Sequence, residues 1–235
     1  MSPSLSKTAR AQKRARMKAT DATNDTRTAL MFAGLKHFSA HGFEAASVHD
    51  IARDADCNVS LVSYHFGGKQ GLLQACFKQA GLDRLEIAER VLSGAPTSMD
   101  EVRVRLSMFV DEMLLDGVKN PEICSILHRD LASEFELLGD VFKMTFLRTF
   151  QLLADFLSKA KDRQLLAPWI DVNLSAVQLA GSVIHVLRTD EIRRKLFKKS
   201  ITDADVRAMT RDHIIRTHLE GLLNSKEPKN SPKNN

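Results

Sequence analysis

Residues 47–66 read Ser47-Val48-His49-Asp50-Ile51-Ala52-Arg53-Asp54-Ala55-Asp56-Cys57-Asn58-Val59-Ser60-Leu61-Val62-Ser63-Tyr64-His65-Phe66, and two helical signals stand in this stretch with little between them. Val48, Ile51, Ala52 and Ala55 follow the i, i+3, i+4, i+7 spacing of a short amphipathic helix, and Ser47 stands where a hydroxyl caps the first turn. Asp56 falls in the turn, where a left-handed backbone is often needed and aspartate tolerates it better than most residues. Asn58 suits the cap of a second helix over about 59–65. In that helix Val62 and Phe66 face inward as i and i+4, so Val59, Ser60, Ser63 and Tyr64 face outward. Two short helices joined by a tight turn, the second offering small polar groups, form the helix-turn-helix pattern. Serine hydroxyls can meet base edges or phosphates, while Tyr64 and His65 can reach phosphate oxygens.

Outward from this stretch the period stays helical, and no sustained strand alternation occurs. A helix is expected over about Asp25–His41, with Leu30, Met31, Gly34, Leu35 and Phe38 on one stripe and Gly42 as its stop. A long helix should follow Gly67-Gly68 and end near Ser93-Gly94-Ala95-Pro96. Beyond lie about five more. Val102, Leu106, Phe109, Val110 and Met113 mark a stripe ending near Gly117, and Pro121 opens the next helix. Residues 137–160 read as one long Phe-rich helix. Val172–Leu187 is apolar on nearly every side, with Gly181 inside it, so it must be covered all round. The last helix runs over about Asp203–Leu223. The fold expected is all-α, with nine or ten helices: a three-helix DNA-binding domain and a larger C-terminal helical domain.

The runs Gly42-Phe43-Glu44-Ala45-Ala46-Ser47-Val48-His49-Asp50-Ile51-Ala52 and Asn58-Val59-Ser60-Leu61-Val62-Ser63-Tyr64-His65-Phe66-Gly67-Gly68-Lys69 closely resemble the DNA-binding domain of the tetracycline-repressor (TetR/AcrR) family. The resemblance covers about residues 26–75, and its most specific block is Tyr64-His65-Phe66-Gly67-Gly68-Lys69. It departs at Asp56, where the family often has glycine, and at Cys57, where valine is usual. It implies that Ser47, Asn58, Ser60, Leu61, Ser63, Tyr64, His65 and Lys69 meet DNA, with Lys69 on a phosphate. It also implies a homodimer, joined through about 171–187 and 203–223, and a ligand pocket in the C-terminal helices. Phe109, Met113, His128, Phe146, Phe150 and Trp169 are the candidates for that pocket, although such residues more often form core.

The net charge of +5 sits in one place. Residues 1–20 hold six basic residues and no acid, leaving 34 − 6 = 28 basic against 29 acidic residues elsewhere. This stretch has almost no large apolar residues and reads as a disordered basic arm. It serves either as a solvated tail or as a source of phosphate or minor-groove contacts. Residues 24–70 carry four basic and five acidic residues, so the reading head itself is no basic patch. The domains expected are the arm over 1–24, the helix-turn-helix domain over 25–70 and a connecting helix over 71–94. An effector-binding and dimerisation domain over 95–224 and a disordered tail over 225–235 complete the chain.

Several function classes find no support. No apolar run reaches the length of a membrane span and no secretory signal opens the chain, so a cytoplasmic protein is expected. Three cysteines without a CxxC pair argue against a disulfide framework or zinc ribbon, and read as small core residues. His37 and His41 stand one helical turn apart without a third ligand nearby, so a solvated pair is favoured over a metal site. His213 and His218, five residues apart, should leave opposite faces. His128 and His185 sit among apolar residues, as buried histidines or pocket groups. No nucleotide-binding, hydrolase or zinc-protease motif occurs, and no catalytic residue, metal or cofactor is expected. Two modes of control remain: a repressor released from palindromic double-stranded operator DNA by a small apolar effector, or a DNA-binding dimer governed by a protein partner.

Overall fold

The computed structural model describes the backbone of residues 4–129 and 136–222, and the side chains of residues 24–127 and 136–219. All regular structure among the described residues is helical. Packing divides the chain into two units, residues 1–79 with 125–139 and residues 80–124 with 140–235. The helix after Gly68 begins in one unit and ends in the other.

The first unit contains α1 (Ser4–Ala45), α2 (Val48–Asp54), α3 (Ser60–Phe66) and the first half of α4 (Lys69–Leu92). Leu30 and Phe38 of α1, Ile51 of α2, Val62 of α3 and Leu72 and Phe77 of α4 are fully buried and form its small core. The helical path of α1 breaks at Gly42, whose φ of 81° suits glycine, and Phe43 then stacks on Phe38 with ring centroids 5.9 Å apart. Gly34 lets α1 approach α4, since a Cβ there would lie 3.0 Å from Leu72. The backbone of α1 is helical from Ser4, whereas composition points to a disordered arm. Lack of apolar surface argues against independent folding, but extending an existing helix through Ala, Lys, Arg and Met costs little because the nucleus is already formed. The side chains of residues 1–23 lie outside the described residues, as does the tail expected from Ser225.

The second unit holds the rest of α4, α5 (Met99–Lys119), the start of α6 (Pro121–Arg129), α7 (Asp140–Phe142), a π-helical turn (Lys143–Leu147), α8 (Arg148–Asp162), α9 (Val172–Arg188), α10 (Asp190–Phe197) and α11 (Ala204–Leu222). Its core runs through Leu106, Val110 and Leu114 of α5, Leu153 and Phe156 of α8, Leu179 of α9 and Ile215 and Leu219 of α11. Ser98 caps α5 by accepting from the Glu101 N–H, and the Glu101 carboxylate takes the Thr97 N–H and hydroxyl in return.

Two expectations change here, and one unexpected helix is added. Gly117 does not stop α5 but lies buried within it, where a Cβ would come 2.4 Å from Leu187 of α9; its role is close packing. The Phe-rich helix is interrupted by the π turn, where the Thr145 hydroxyl bonds back to the Val141 carbonyl and Thr149 to that of Thr145. Finally, α10 joins α9 to α11 without burying any residue, so it leaves no core stripe for a periodicity reading to find.

Candidate nucleic-acid interface

Each part of the 47–66 stretch has a structural cause. The Ser47 hydroxyl oxygen accepts from the Asp50 N–H at 3.4 Å and caps α2. Ile51 and Ala52 bury α2. Asp56 adopts φ 50°, the left-handed turn expected of it. The Asn58 carbonyl oxygen Oδ1 accepts both the Ser60 N–H at 2.9 Å and the Ser60 hydroxyl at 2.8 Å, fixing the start of α3. Gly67, at φ 72°, caps its end, and Gly71 lets α4 pass so close that a Cβ would strike the Phe66 carbonyl.

Val62 alone anchors α3 in the core, while Ser60, Ser63 and Tyr64 are exposed, Tyr64 at 77%. The Tyr64 ring meets His65 edge-on at 5.0 Å. Leu61 and His65 are half-buried. Lys69 has more to do than the motif suggests. Its Nζ donates to the carbonyls of Glu44 at 3.0 Å and Ala46 at 3.1 Å, and lies 4.5 Å from the Phe43 ring centroid. Two of its three N–H donors therefore hold the end of α1.

Two groups escape the sequence pattern. Arg27 of α1 places its guanidinium 5.3 Å from the centroid of Phe66, at the end of α3; no local spacing links residues so far apart. His37 is not a solvated partner of His41. Its side chain is only 13% exposed, and its Nε2 meets Asp54 Oδ2 at 2.8 Å, tying α1 to α2. That hydrogen bond holds the Asp54 carboxyl below the usual aspartate range.

In the second unit the pocket candidates separate. Phe109 is buried in the core and Met113 packs at its edge. Phe146 stacks on Phe142 at 5.6 Å with Arg84 above its ring at 5.3 Å. Phe150 is half-buried, Trp169 is 73% exposed, and the His128 side chain lies outside the described residues. His185 is exposed rather than buried, and His213 and His218 line one groove with it instead of leaving opposite faces. The histidine pair is separated by about 140° of helical turn, too little to hide either from a broad groove.

Arg84 Nε donates to Asp116 Oδ2 at 2.5 Å and its Nη2 to Cys124 Sγ at 3.5 Å, while Asp116 Oδ1 accepts from Asn120. Burial disfavours the Arg84 charge, but Asp116 more than offsets this and holds the guanidinium firmly protonated. Burial pushes the Cys76 thiol up to about 12 and raises that of Cys124, so neither is a ready nucleophile. Among the described residues no cluster of three or more metal-ligating side chains forms, and no helix is long and apolar enough to cross a membrane.

A core-anchored helix carrying outward polar groups, set against a capped partner helix, has the geometry of a helix-turn-helix. Residues 30–76 match the family model described as "Bacterial regulatory proteins, tetR family". The chain is 23% identical over 133 residues to the Bacillus subtilis (strain 168) protein named "Probable HTH-type transcriptional regulator YttP". That alignment covers 55% of this chain, which spans 63% of the relative's length. The fold is similar to that of the fatty acid degradation regulator FadR from Bacillus halodurans, with a TM-score of 0.65 and 16% identity over 84% of this chain and 96% of that one. It is also similar to a TetR-like transcriptional regulator from Rhodococcus sp. RHA1, with a TM-score of 0.61 and 20% identity over 83% and 94% of the two chains.

Proposed function

We propose that this chain is a cytoplasmic repressor that binds a palindromic operator as a homodimer and leaves it when a small apolar effector binds. The observation that carries this reading is the outward face of α3, where Ser60, Ser63 and Tyr64 project from a helix anchored by Val62. Ser63 and Tyr64 make the groove contacts. Ser47, Asn58, Ser60, Leu61 and His65 shape or flank them, and Lys69 offers its remaining N–H to a phosphate. Arg27 adds a cation beside the end of α3. Its role is regulatory rather than catalytic.

Dimerisation uses α9 and α11. The sequence of α9 calls for cover all round, yet Leu174 and Val177 are 55% and 57% exposed in the single chain, and a second chain supplies that cover. Two copies would set their recognition helices about 34 Å apart, one turn of DNA, which selects a palindrome. The effector binds within the second unit, where Phe146 sits in a π-helical turn, a feature frequent at functional sites. Because α4 begins in one unit and ends in the other, it can carry a shift from effector to α3.

The test selects bound fragments from genomic DNA, then titrates the recovered operator with wild type and Tyr64→Ala. Loss of one groove contact should weaken specific binding about tenfold without lowering the melting temperature, since Tyr64 is exposed. Equal affinity of the two would remove α3 from the interface. Deleting residues 1–20 should flatten the slope of log K against log salt if the arm meets phosphates. Release of the operator in a thermal-shift-guided screen of lipophilic compounds identifies the effector.

One observation favours control by a protein partner instead. α10 exposes Ile192, Leu196 and Phe197 on a helix held firmly in place, with Asp190 accepting from the Ser200 hydroxyl and the Ile201 N–H, and Arg193 bonded to Thr210. Operator release by no compound, together with release by a captured protein, would favour this second reading.

A further inference from the structure

α10 is a helix without a core. None of its residues is buried, and Ile192, Leu196 and Phe197 stand 57%, 68% and 67% exposed. Ile192 and Leu196 are one turn apart and share a face, and Phe197 ends the helix beside them. The backbone beneath is nevertheless fixed. Asp190 accepts from the Ser200 hydroxyl and the Ile201 N–H, and the Arg193 guanidinium donates to the Thr210 hydroxyl at 2.9 Å. A partner therefore meets these apolar side chains on a helix that is already ordered.

Charge distinguishes the surroundings. Residues 190–199 hold five cations (Arg193, Arg194, Lys195, Lys198 and Lys199) and two carboxylates (Asp190 and Glu191), in a chain that beyond residue 20 has 28 basic and 29 acidic residues. Both carboxylates are engaged, Asp190 as above and Glu191 with Lys195 at 3.0 Å. Arg194, Lys198 and Lys199 are exposed and have no carboxylate partner among the described residues. Lys198 holds its charge at a backbone φ of 55°, a helix-end conformation in which glycine is usual.

The occupant must be anionic at its surface and apolar beneath. A nucleic-acid backbone answers the cations but leaves Ile192, Leu196 and Phe197 in water. A folded protein could answer both, yet lysine is depleted from protein interfaces, and three apolar side chains cover only a fraction of the roughly 800 Å² per partner that a stable one buries. An anionic bilayer needs no shaped counterpart. Its headgroups accept flexible lysines in many geometries, and its acyl boundary accepts leucine and phenylalanine. Such contact is peripheral, since no described helix is long and apolar enough to cross a membrane.

We infer that α10 is a docking site for an anionic phospholipid surface, with Ile192, Leu196 and Phe197 at the acyl boundary and Arg194, Lys198 and Lys199 on headgroup phosphates. α10 belongs to the second unit and α3 to the first, so the inference goes beyond operator binding and does not depend on it. Flotation of the full chain with vesicles of equal parts phosphatidylglycerol and phosphatidylcholine tests it, with pure phosphatidylcholine as the neutral control. Wild type should float with the anionic vesicles only. Leu196→Ser combined with Phe197→Ser should weaken that partition about tenfold or more, and joint replacement of Arg194, Lys198 and Lys199 by glutamine should weaken it similarly. Both variants should keep the wild-type circular dichroism and melting temperature, because every altered side chain is exposed. The basic stretch over residues 1–20 is a rival source of vesicle binding, but it does not predict sensitivity to the serine variant. Vesicles bound equally by the serine variant, and not by a chain lacking residues 1–20, would overturn the inference in favour of that stretch. A wild type that does not float would overturn it outright. Self-association lost in the serine variant would then assign the apolar residues to a second copy, and binding of an acidic amphipathic peptide would assign them to a protein.

Discussion

The two units hold their helices by different means. In the first, polar ties near the surface do much of the work around a small core: Lys69 gathers two carbonyls at the end of α1, His37 meets Asp54, and Asn58 starts α3. In the second, a wide apolar core is crossed by a buried polar cluster, with Arg84 and Asp116 side chains only 14% and 9% exposed. The first arrangement keeps a small unit in shape with polar ties that reach back from Asp54 and Lys69 to α1 and the residue after it, beside local caps such as Asn58. The second depends on partners far apart in sequence, and a single lost partner there leaves a charge stranded.

The largest effect should therefore come from Asp116→Ala. Removing the carboxylate leaves the Arg84 guanidinium uncompensated, and breaking a buried pair in this way costs about 3 kcal/mol. The double variant Arg84→Met, Asp116→Leu should recover most of that loss, because no charge remains to be buried. Urea denaturation of the two variants checks the contrast. If the single variant unfolds at the wild-type urea concentration, the cluster is wet and the contrast between the units fails.

Lys69→Met comes next. It removes two charge-assisted hydrogen bonds at the Glu44 and Ala46 carbonyls and the contact with Phe43, which should cost about 1–2 kcal/mol. A lysine serving only a phosphate would instead lose operator affinity at unchanged stability, so melting and DNA titration of the same variant separate the two roles.

This contrast also sets what the sequence makes legible. Ser47, Asp56, Asn58 and Val62 lie within a few residues of what they act on, and a spacing argument finds caps, a left-handed turn and a core anchor directly. Arg84 meets Asp116 across 32 positions and His37 meets Asp54 across 17, distances at which periodicity carries no information. Gly117, near which the α5 stripe ends, suits a helix stop and a close-packing position equally, and only the position of Leu187 decides between them. The exposed face of α9 is a milder case. Its all-round apolar pattern demands cover, but the pattern cannot say that Leu174 and Val177 stay exposed within one chain.

A smaller effect sharpens the local side of the comparison. Asp56 holds a left-handed conformation at φ 50°, which costs a non-glycine residue about 1–2 kcal/mol. Asp56→Gly removes that strain but adds freedom to the unfolded chain, worth about 0.4–1 kcal/mol in the opposite direction. The net expectation is a gain of under about 1 kcal/mol, read as a slightly higher melting temperature, while Asp56→Val should lower it. A loss on introducing glycine would show that the Asp56 side chain contributes something beyond tolerance of the turn.

The smallest effect concerns pH. The hydrogen bond from His37 holds the folded Asp54 carboxyl below the ordinary aspartate value, which is about 3.9 in an unfolded chain. A depressed carboxyl stabilises the fold above the unfolded value, and that contribution disappears as pH falls through the lower folded one. Wild type should therefore melt above Asp54→Asn at neutral pH, and the gap should close as pH drops below the usual aspartate range. Asp54 is half open to solvent, with a side chain 36% exposed, so screening keeps the gap small. A gap that persists unchanged at acid pH would mean that asparagine harms the α1–α2 junction through shape rather than charge. The tie would then belong with the packed contacts of the second unit rather than with the polar ones of the first.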